Sequence, residues 1–179
     1  MNKIEVVGTL KDGGKNYKQG HLYLLDVPRK SGVIDTLMVF PKDGVQLSEG
    51  PIRIVGRIQS QYIKTIGVPV YIIPEDVEPR DVVEVSSDAT ATGTLKEDPV
   101  CRKTKTDKNI CTLLLITDDG TVPVLLWGDL AKEAPNKFKA GDRLTARGRL
   151  QSREYPDKNG GKRQTWELSA RKIKFARED

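Results

Sequence analysis

The stretch GRLQSREYPDKNGGKRQ, residues 148–164, decides the fold, because a shorter version of it, GRIQSQYIK, stands at residues 56–64. Both place arginine after glycine, then an apolar residue, then Gln-Ser, with a tyrosine shortly after. Working outward from this pair, self-comparison finds three further matches. VGTLKDGG (7–14) corresponds to TGTLKEDP (92–99), LYLLDV (22–27) to TLLLIT (112–117), and LMVFPKD (37–43) to VLLWGDL (124–130). The order never changes and the offset stays near 85 to 92. The chain reads as two copies of one unit.

Within each copy the matched segments read as strands: short, apolar, rich in β-branched residues and bounded by Gly, Pro, Asp and Asn. The second copy gives strands near 89–96, 109–117, 121–127, 143–153 and 164–175. A helix fits between the third and fourth. Asp129 would cap it, Leu130, Ala131, Ala134 and Phe138 would share one face, and Gly141 would end it. Pro135 removes a backbone donor, so the helix is expected to be short or kinked. The fold class that follows is all-β: two tandem OB-fold barrels, each a five-stranded Greek key, the second with a short helix between strands 3 and 4. In the first copy PKDGVQLSEGP (41–51) takes the helix's place and reads as a loop. Residues 1–80 and 89–179 form the two units and 81–88 the linker, part of an acidic stretch, 75–88, in which Val82, Val83 and Val85 extend toward the next strand.

The second copy resembles the bacterial and phage single-stranded DNA-binding (SSB) family through TGTLKEDP, VPVLLWGDLAKE and FKAGDRLTARGRLQSREYPDKNGGKRQTWELSARKIKF. The resemblance covers residues 89–176, and the first copy is similar mostly through VGTL and VGRIQSQY. It implies an OB fold, single-stranded DNA as partner, and a homodimer bringing four barrels together. This chain departs from the family pattern in three places. It ends at KFARED without an acidic tail, which suits a phage, plasmid or mobile-element protein or a primosome-like relative. It has Thr121 where the family often has an aromatic, and it carries Pro135 in the helix.

Charge points the same way. Residues 1–80 hold 11 Lys and Arg against 9 acids, and residues 91–179 hold 19 against 13. A basic half favours a polyanionic partner. Bases are apolar discs that aromatic side chains hold by stacking, and phosphates nearby call for Lys or Arg. In TVPVLLWG, Val122, Val124 and Leu126 point to the core and Trp127 to the other face, beside a glycine that leaves a base room. In GRLQSREY, Leu150 points inward, so Arg149, Gln151, Arg153 and Tyr155 share the outer face, followed by Lys158, Lys162 and Arg163 around the turn. Arg102, Lys103 and Lys105 belong to CRKTKTDK (101–108), a loop able to track a phosphate backbone. In the first copy Phe40 and Tyr62 hold the corresponding aromatic positions. Pro41 replaces the glycine there, and Tyr62, in phase with Ile58, turns toward the core unless a bulge intervenes. Trp166, in phase with Leu168 and Ala170, reads as core, as do Phe138 and Phe175. Val68, Val70, Ile72 and Ile73 suit packing.

The expected function is non-catalytic, sequence-tolerant single-stranded DNA binding in replication, recombination or repair. The alternatives are a protein-interaction OB module of a replication or conjugation assembly, and RNA binding. No phosphate-cradling loop, ligand set or nucleophile with a histidine partner supports an enzyme, a cofactor or a small-molecule substrate. Cys101 and Cys111 lack the spacing of a zinc site. They could meet across a hairpin, but a reducing compartment favours two small buried hydrophobes. His21 reads as structural, and no metal is expected. MNKIEVVG reads as a strand rather than a secretory signal, and no run is long enough to span a bilayer, so the cytoplasm is the expected location.

Overall fold

The computed structural model describes residues 1–81, 84 and 86–177; Val82, Val83 and Val85, which the sequence extends toward the next strand, lie outside the described residues. The fold is all-β with a single helix among those residues. The first half contributes β1 (Lys3–Tyr17), β2 (Gly20–Pro28), β3 (Ile34–Val39), β4 (Gly50–Ser60) and β5 (Val70–Pro79). The second contributes β6 (Ser86–Leu95), β7 (Val100–Lys103), β8 (Asn109–Thr117), β9 (Gly120–Trp127), α1 (Gly128–Lys137), β10 (Arg143–Pro156) and β11 (Lys162–Phe175).

In the second half β6 pairs with β8, β8 with β9, β9 in parallel with β11, β11 with β10, and β10 with β6 again. That circuit is a closed five-stranded barrel with α1 between its third and fourth strands. In the first half the ladders run β1–β2, β2–β3, β3–β5 in parallel, β5–β4 and β4–β1, in the same sequence. Residues 41–49 carry no helix there, as the Pro and Gly content of that segment requires. The acidic stretch is shorter as a connection than the sequence suggests. Residues 75–79 belong to β5, and Ser86–Asp88 pair with β1.

The duplicated glycines mark backbone crowding. At Gly56 and Gly148 the register of the β4–β5 and β10–β11 ladders slips, a β-bulge. A Cβ at Gly56 would strike the carbonyl oxygen of Ile73, and one at Gly148 that of Ser169. Only glycine fits either site.

Helix α1 departs from expectation at its start. Trp127, not Asp129, occupies the cap position, and no side chain caps the helix; Asp129 lies in the first turn. Gly128 has φ of 61°, the left-handed region that lets β9 turn directly into the helix. Ala131 and Ala134 are buried, and Pro135 sits near the end of a ten-residue helix. Phe138 is core, whereas Phe175, expected beside it, is 48% exposed although its ring still meets Phe138 edge-on.

Basic segment 101–108 is not simply a loop. β7 pairs with β8, so it forms an edge hairpin in which Cys101 and Cys111 stand directly opposite, their side chains facing each other. The expectation of two small buried hydrophobes is corrected: Cys111 is buried, but Cys101 lies on exposed β7. His21 is structural. Its ring nitrogens lie 2.7 Å from Asn16 Oδ1 and 2.8 Å from Asp12 Oδ1, tying the β1–β2 hairpin.

The halves meet first through β1 and β6, antiparallel, with Lys3 opposite Thr90, Ile4 opposite Ala89 and Glu5 opposite Asp88. In the alignment set by VGTL and TGTL, Ala89 is the counterpart of Ile4. Each flanking pair is therefore the exchange of the other, the pattern of a two-fold contact. The duplicated GR-[IL]-QS motif makes the second contact, once from each half and onto aspartates at different positions. Arg57 reaches Asp119 at 3.3 Å and the Ser60 amide donates to the Asp119 carbonyl at 2.9 Å. Across the axis Arg149 stands 3.5 Å from Asp35, whose carboxylate accepts the Ser152 amide at 3.1 Å.

Candidate nucleic-acid interface

Strand alternation places the core side of β9 as expected, with Val122, Val124 and Leu126 fully buried. Trp127, the last residue of that strand, is 42% exposed. The ladders set Trp127 opposite Ile110, and Ile110 opposite Arg102. Arg102 and Trp127 thus occupy one cross-strand row, which sequence spacing could not reveal. Lys103 and Lys105 extend the exposed basic hairpin beside it. Lys103 pairs only with exposed Asp107, at 3.1 Å.

The second group lies on the β10–β11 hairpin. Tyr155, 40% exposed, stands opposite Arg163, with exposed Lys158 in the turn between the strands. Lys162 and Arg163 pair with Glu154 and Asp157, and both cations remain largely in solvent. Exposed pairs of this kind contribute about 0–1 kcal/mol, so a phosphate can displace them.

The two groups are well separated. Leu168 on β11 lies beside Val124 on the parallel strand β9. Arg163 precedes Leu168 by five residues and Trp127 follows Val124 by three. At about 3.3 Å per residue this amounts to roughly 25 Å of strand. Trp127 and Tyr155 mark two points on a path, not one clamp.

Arg149 and Arg153 are held differently from these cations. The register confirms that they share a face with Gln151 and Tyr155. That face is covered near its base, where Gln151 and Glu167 are buried and bonded to each other at 3.0 Å. Arg153 donates to the buried Glu167 carboxylate at 2.8 Å. Arg149 is half-buried against Asp35, and burial followed by the neighbouring Arg29 lowers its pKa. Arg149 is therefore no free phosphate ligand: it belongs to the junction between the halves. Asp35 is fully buried and accepts from two of the three Arg29 guanidinium nitrogens, at 3.0 and 2.5 Å. A buried carboxylate persists only when paired and hydrogen-bonded in this way.

The first copy's aromatics exchange the roles the sequence suggests. Phe40 is 2% exposed, packed edge-on between Tyr17 and Tyr71, and cannot stack on a base. Tyr62 is 66% exposed, because β4 ends at Ser60 and alternation no longer governs it. Trp166 is buried as expected, yet its indole N–H donates to the Thr36 carbonyl of the other half at 3.0 Å. Thr36 also donates its amide to Ser152 Oγ at 2.8 Å. The partner side of these contacts, Asp35 and Thr36, lay outside the sequence-derived set; the signal was Asp35, a charge in an otherwise apolar strand. Among the described residues no group of His, Cys, Asp and Glu stands close enough together to hold a metal ion. Among the described residues no helix is long and apolar enough to cross a membrane.

The chain is 33% identical over 54 residues to single-stranded DNA-binding protein 2 of Clostridium acetobutylicum, covering 30% of this chain and 41% of that protein. It is 32% identical over 94 residues to the single-stranded DNA-binding protein of Clostridium tetani, covering 46% of this chain and 65% of that one. The chain thus spans less than two thirds of either curated relative. The crystal structure of the wild-type single-stranded DNA binding protein from Thermus aquaticus superposes with a TM-score of 0.73 at 21% identity, over 100% of this chain and 94% of that one, a likeness of fold. The model of the single-strand binding protein family matches residues 87–176, half of the chain and the whole of the helix-bearing barrel. The chain belongs to the single-strand binding protein family.

Proposed function

We propose that this chain is a non-catalytic single-stranded DNA-binding protein built from two OB folds in tandem. The observation that carries the reading is the exposed Trp127 aligned in one row with Arg102 at the end of a barrel strand in the family-matching half. Trp127 and Tyr155 stack bases at two points on the path, and Arg102, Lys103, Lys105, Lys158 and the exposed side of Arg153 neutralise phosphates between and around them. A path of that length spans several nucleotides, in keeping with the roughly 4–16 that one OB fold covers. The first copy serves mainly to brace the second. The chain works as a homodimer in the cytoplasm, four barrels together, on DNA exposed in replication, recombination or repair.

Titration of intrinsic fluorescence with oligo-dT at several salt concentrations tests this. Of the two tryptophans only Trp127 is exposed, so quenching reports on it. Trp127→Ala and Tyr155→Ala, read by the anisotropy of a labelled oligo-dT because the first removes the reporter, should each weaken binding by about 1–3 kcal/mol, and affinity should fall as salt rises. Preference for a matched RNA oligonucleotide would transfer the reading to RNA. Binding of oligo-dT unchanged in both variants would leave a protein-docking module as the better account.

A further inference from the structure

Helix α1 contains an acceptor whose ordinary donor is missing. In an α-helix the amide of residue 135 donates to the carbonyl of residue 131, and Pro135 has no amide hydrogen. Ala131 is 2% exposed, so bulk solvent does not reach it. Cys111 takes the donor's place: its Sγ lies 3.4 Å from the Ala131 carbonyl oxygen, where β8 packs under the helix. A thiol is a weak donor, and it donates only while it remains a thiol.

The same sulfur has a second partner across the hairpin. The Thr104 amide donates to the Lys108 carbonyl at 2.9 Å and closes the β7–β8 turn. Hydrogen-bonded and non-hydrogen-bonded pairs alternate from there, so Cys101 and Cys111, three steps along, form a non-hydrogen-bonded pair, the closer kind. Cys111 is buried, whereas Cys101 lies on β7, the last strand of the sheet, whose four residues are all exposed. We propose that Cys101 and Cys111 are a reversible thiol-oxidation site, which exchanges the Cys111–Ala131 hydrogen bond for a covalent tie between β7 and β8. The oxidant is a small-molecule disulfide. Cys101 loses its proton to solvent and attacks one sulfur of that molecule, expelling the first thiolate. Cys111 then loses its proton and attacks the Cys101 sulfur, expelling the second. One sulfur–sulfur bond breaks and one forms; the protein gives up two electrons and the small disulfide takes them, and a dithiol reverses the exchange.

The site adjoins the Trp127 surface. Arg102 follows Cys101 and shares its cross-strand row with Ile110 and Trp127, and Trp127 is also the cap residue of α1. The tie fixes Arg102 in that row, whereas in the dithiol β7 is held by its ladder alone. This coupling rests on the DNA-binding function proposed above; the thiol chemistry stands apart from it.

The test equilibrates the full-length chain, without DNA, in glutathione buffers of graded thiol-to-disulfide ratio, then alkylates and weighs it. An intramolecular bond is expected, reversed by dithiothreitol. Pro135→Ala returns an amide donor to the Ala131 carbonyl and should shift the equilibrium about two- to tenfold toward the disulfide. The anisotropy of a labelled oligo-dT should show the oxidised chain binding about two- to tenfold tighter than the reduced one, the effect of fixing one long side chain in advance. Cys101→Ser, a change at an exposed position, should bind like the reduced chain in both buffers. Glutathione adducts or disulfide-linked dimers in place of the internal bond overturn the site. An unmoved midpoint in Pro135→Ala overturns the part given to the Cys111 thiol. Equal affinity of the two redox forms overturns the coupling to Trp127. Failure of both forms to bind, with the internal bond still forming, overturns the DNA-binding function and leaves the oxidation site standing.

Discussion

Phe40 and Trp127 hold matching positions at the ends of β3 and β9, and one is buried while the other is open to solvent. The difference is made by what lies beyond each strand. β9 turns through Gly128 into a helix and leaves the tryptophan at the rim. After Phe40 the chain continues through Pro41 into an extended loop, and the ring is trapped between Tyr17 and Tyr71. The same contrast separates the aspartates that receive the duplicated arginines: Asp35 is sealed off, whereas the Asp119 side chain keeps 22% of its surface. At the end of its third strand the first copy buries its aromatic residue. The second displays it.

Substitutions can break that contrast. The largest effect is expected from Phe40→Ala, which removes a buried ring and should cost about 3–5 kcal/mol in urea unfolding while oligo-dT affinity stays near wild type. Trp127→Ala should do the reverse, and equal behaviour of the two would end the distinction. Asp35→Ala comes next. It strands Arg29 and Arg149 partly buried without their carboxylate, for an expected loss of about 3–5 kcal/mol, whereas Asp119→Ala should stay within about 1 kcal/mol. An Asp119 effect as large as that of Asp35 would make the two contacts equal in energy despite their different burial.

The smallest effect concerns pH. The Arg147 guanidinium, with Arg171 behind it, holds the Asp88 carboxyl below its ordinary value of 3.8. A carboxylate more acidic in the folded chain stabilises above the unfolded value, and that contribution is lost as pH falls through the folded one. Asp88→Asn should therefore be slightly less stable than wild type at neutral pH, with the gap closing below about pH 4. Because Asp88 is 38% exposed, solvent screening keeps the gap small. A gap that widens in acid would refute the assignment of the carboxylate's partner.

The strands, the duplication and the core of β9 were legible because they rest on local signals: alternation, turn residues and repetition. What escaped was set by the meeting of the halves. Alternation correctly put Arg149 and Arg153 on the outer face of β10, but it cannot say that Asp35 and buried Glu167 wait there. On β3 it carried little information, since Leu37, Met38 and Val39 are all buried and both faces of the strand are covered. Tyr62 escaped for a different reason: it lies past the end of β4, where a period of two no longer applies. β7 was missed because its residues are polar and exposed, the ordinary condition of an edge strand.

The register that sets Ile4 against Ala89 has one more consequence. In an association of identical subunits every substitution is made on both sides of the axis at once, so a change that suits one side must also be tolerated on the other. Here the two sides are separate codons on one polypeptide, and their union does not depend on protein concentration. That freedom permits a bulky isoleucine to face a small alanine. Divergence between the two halves is what such a tether makes possible.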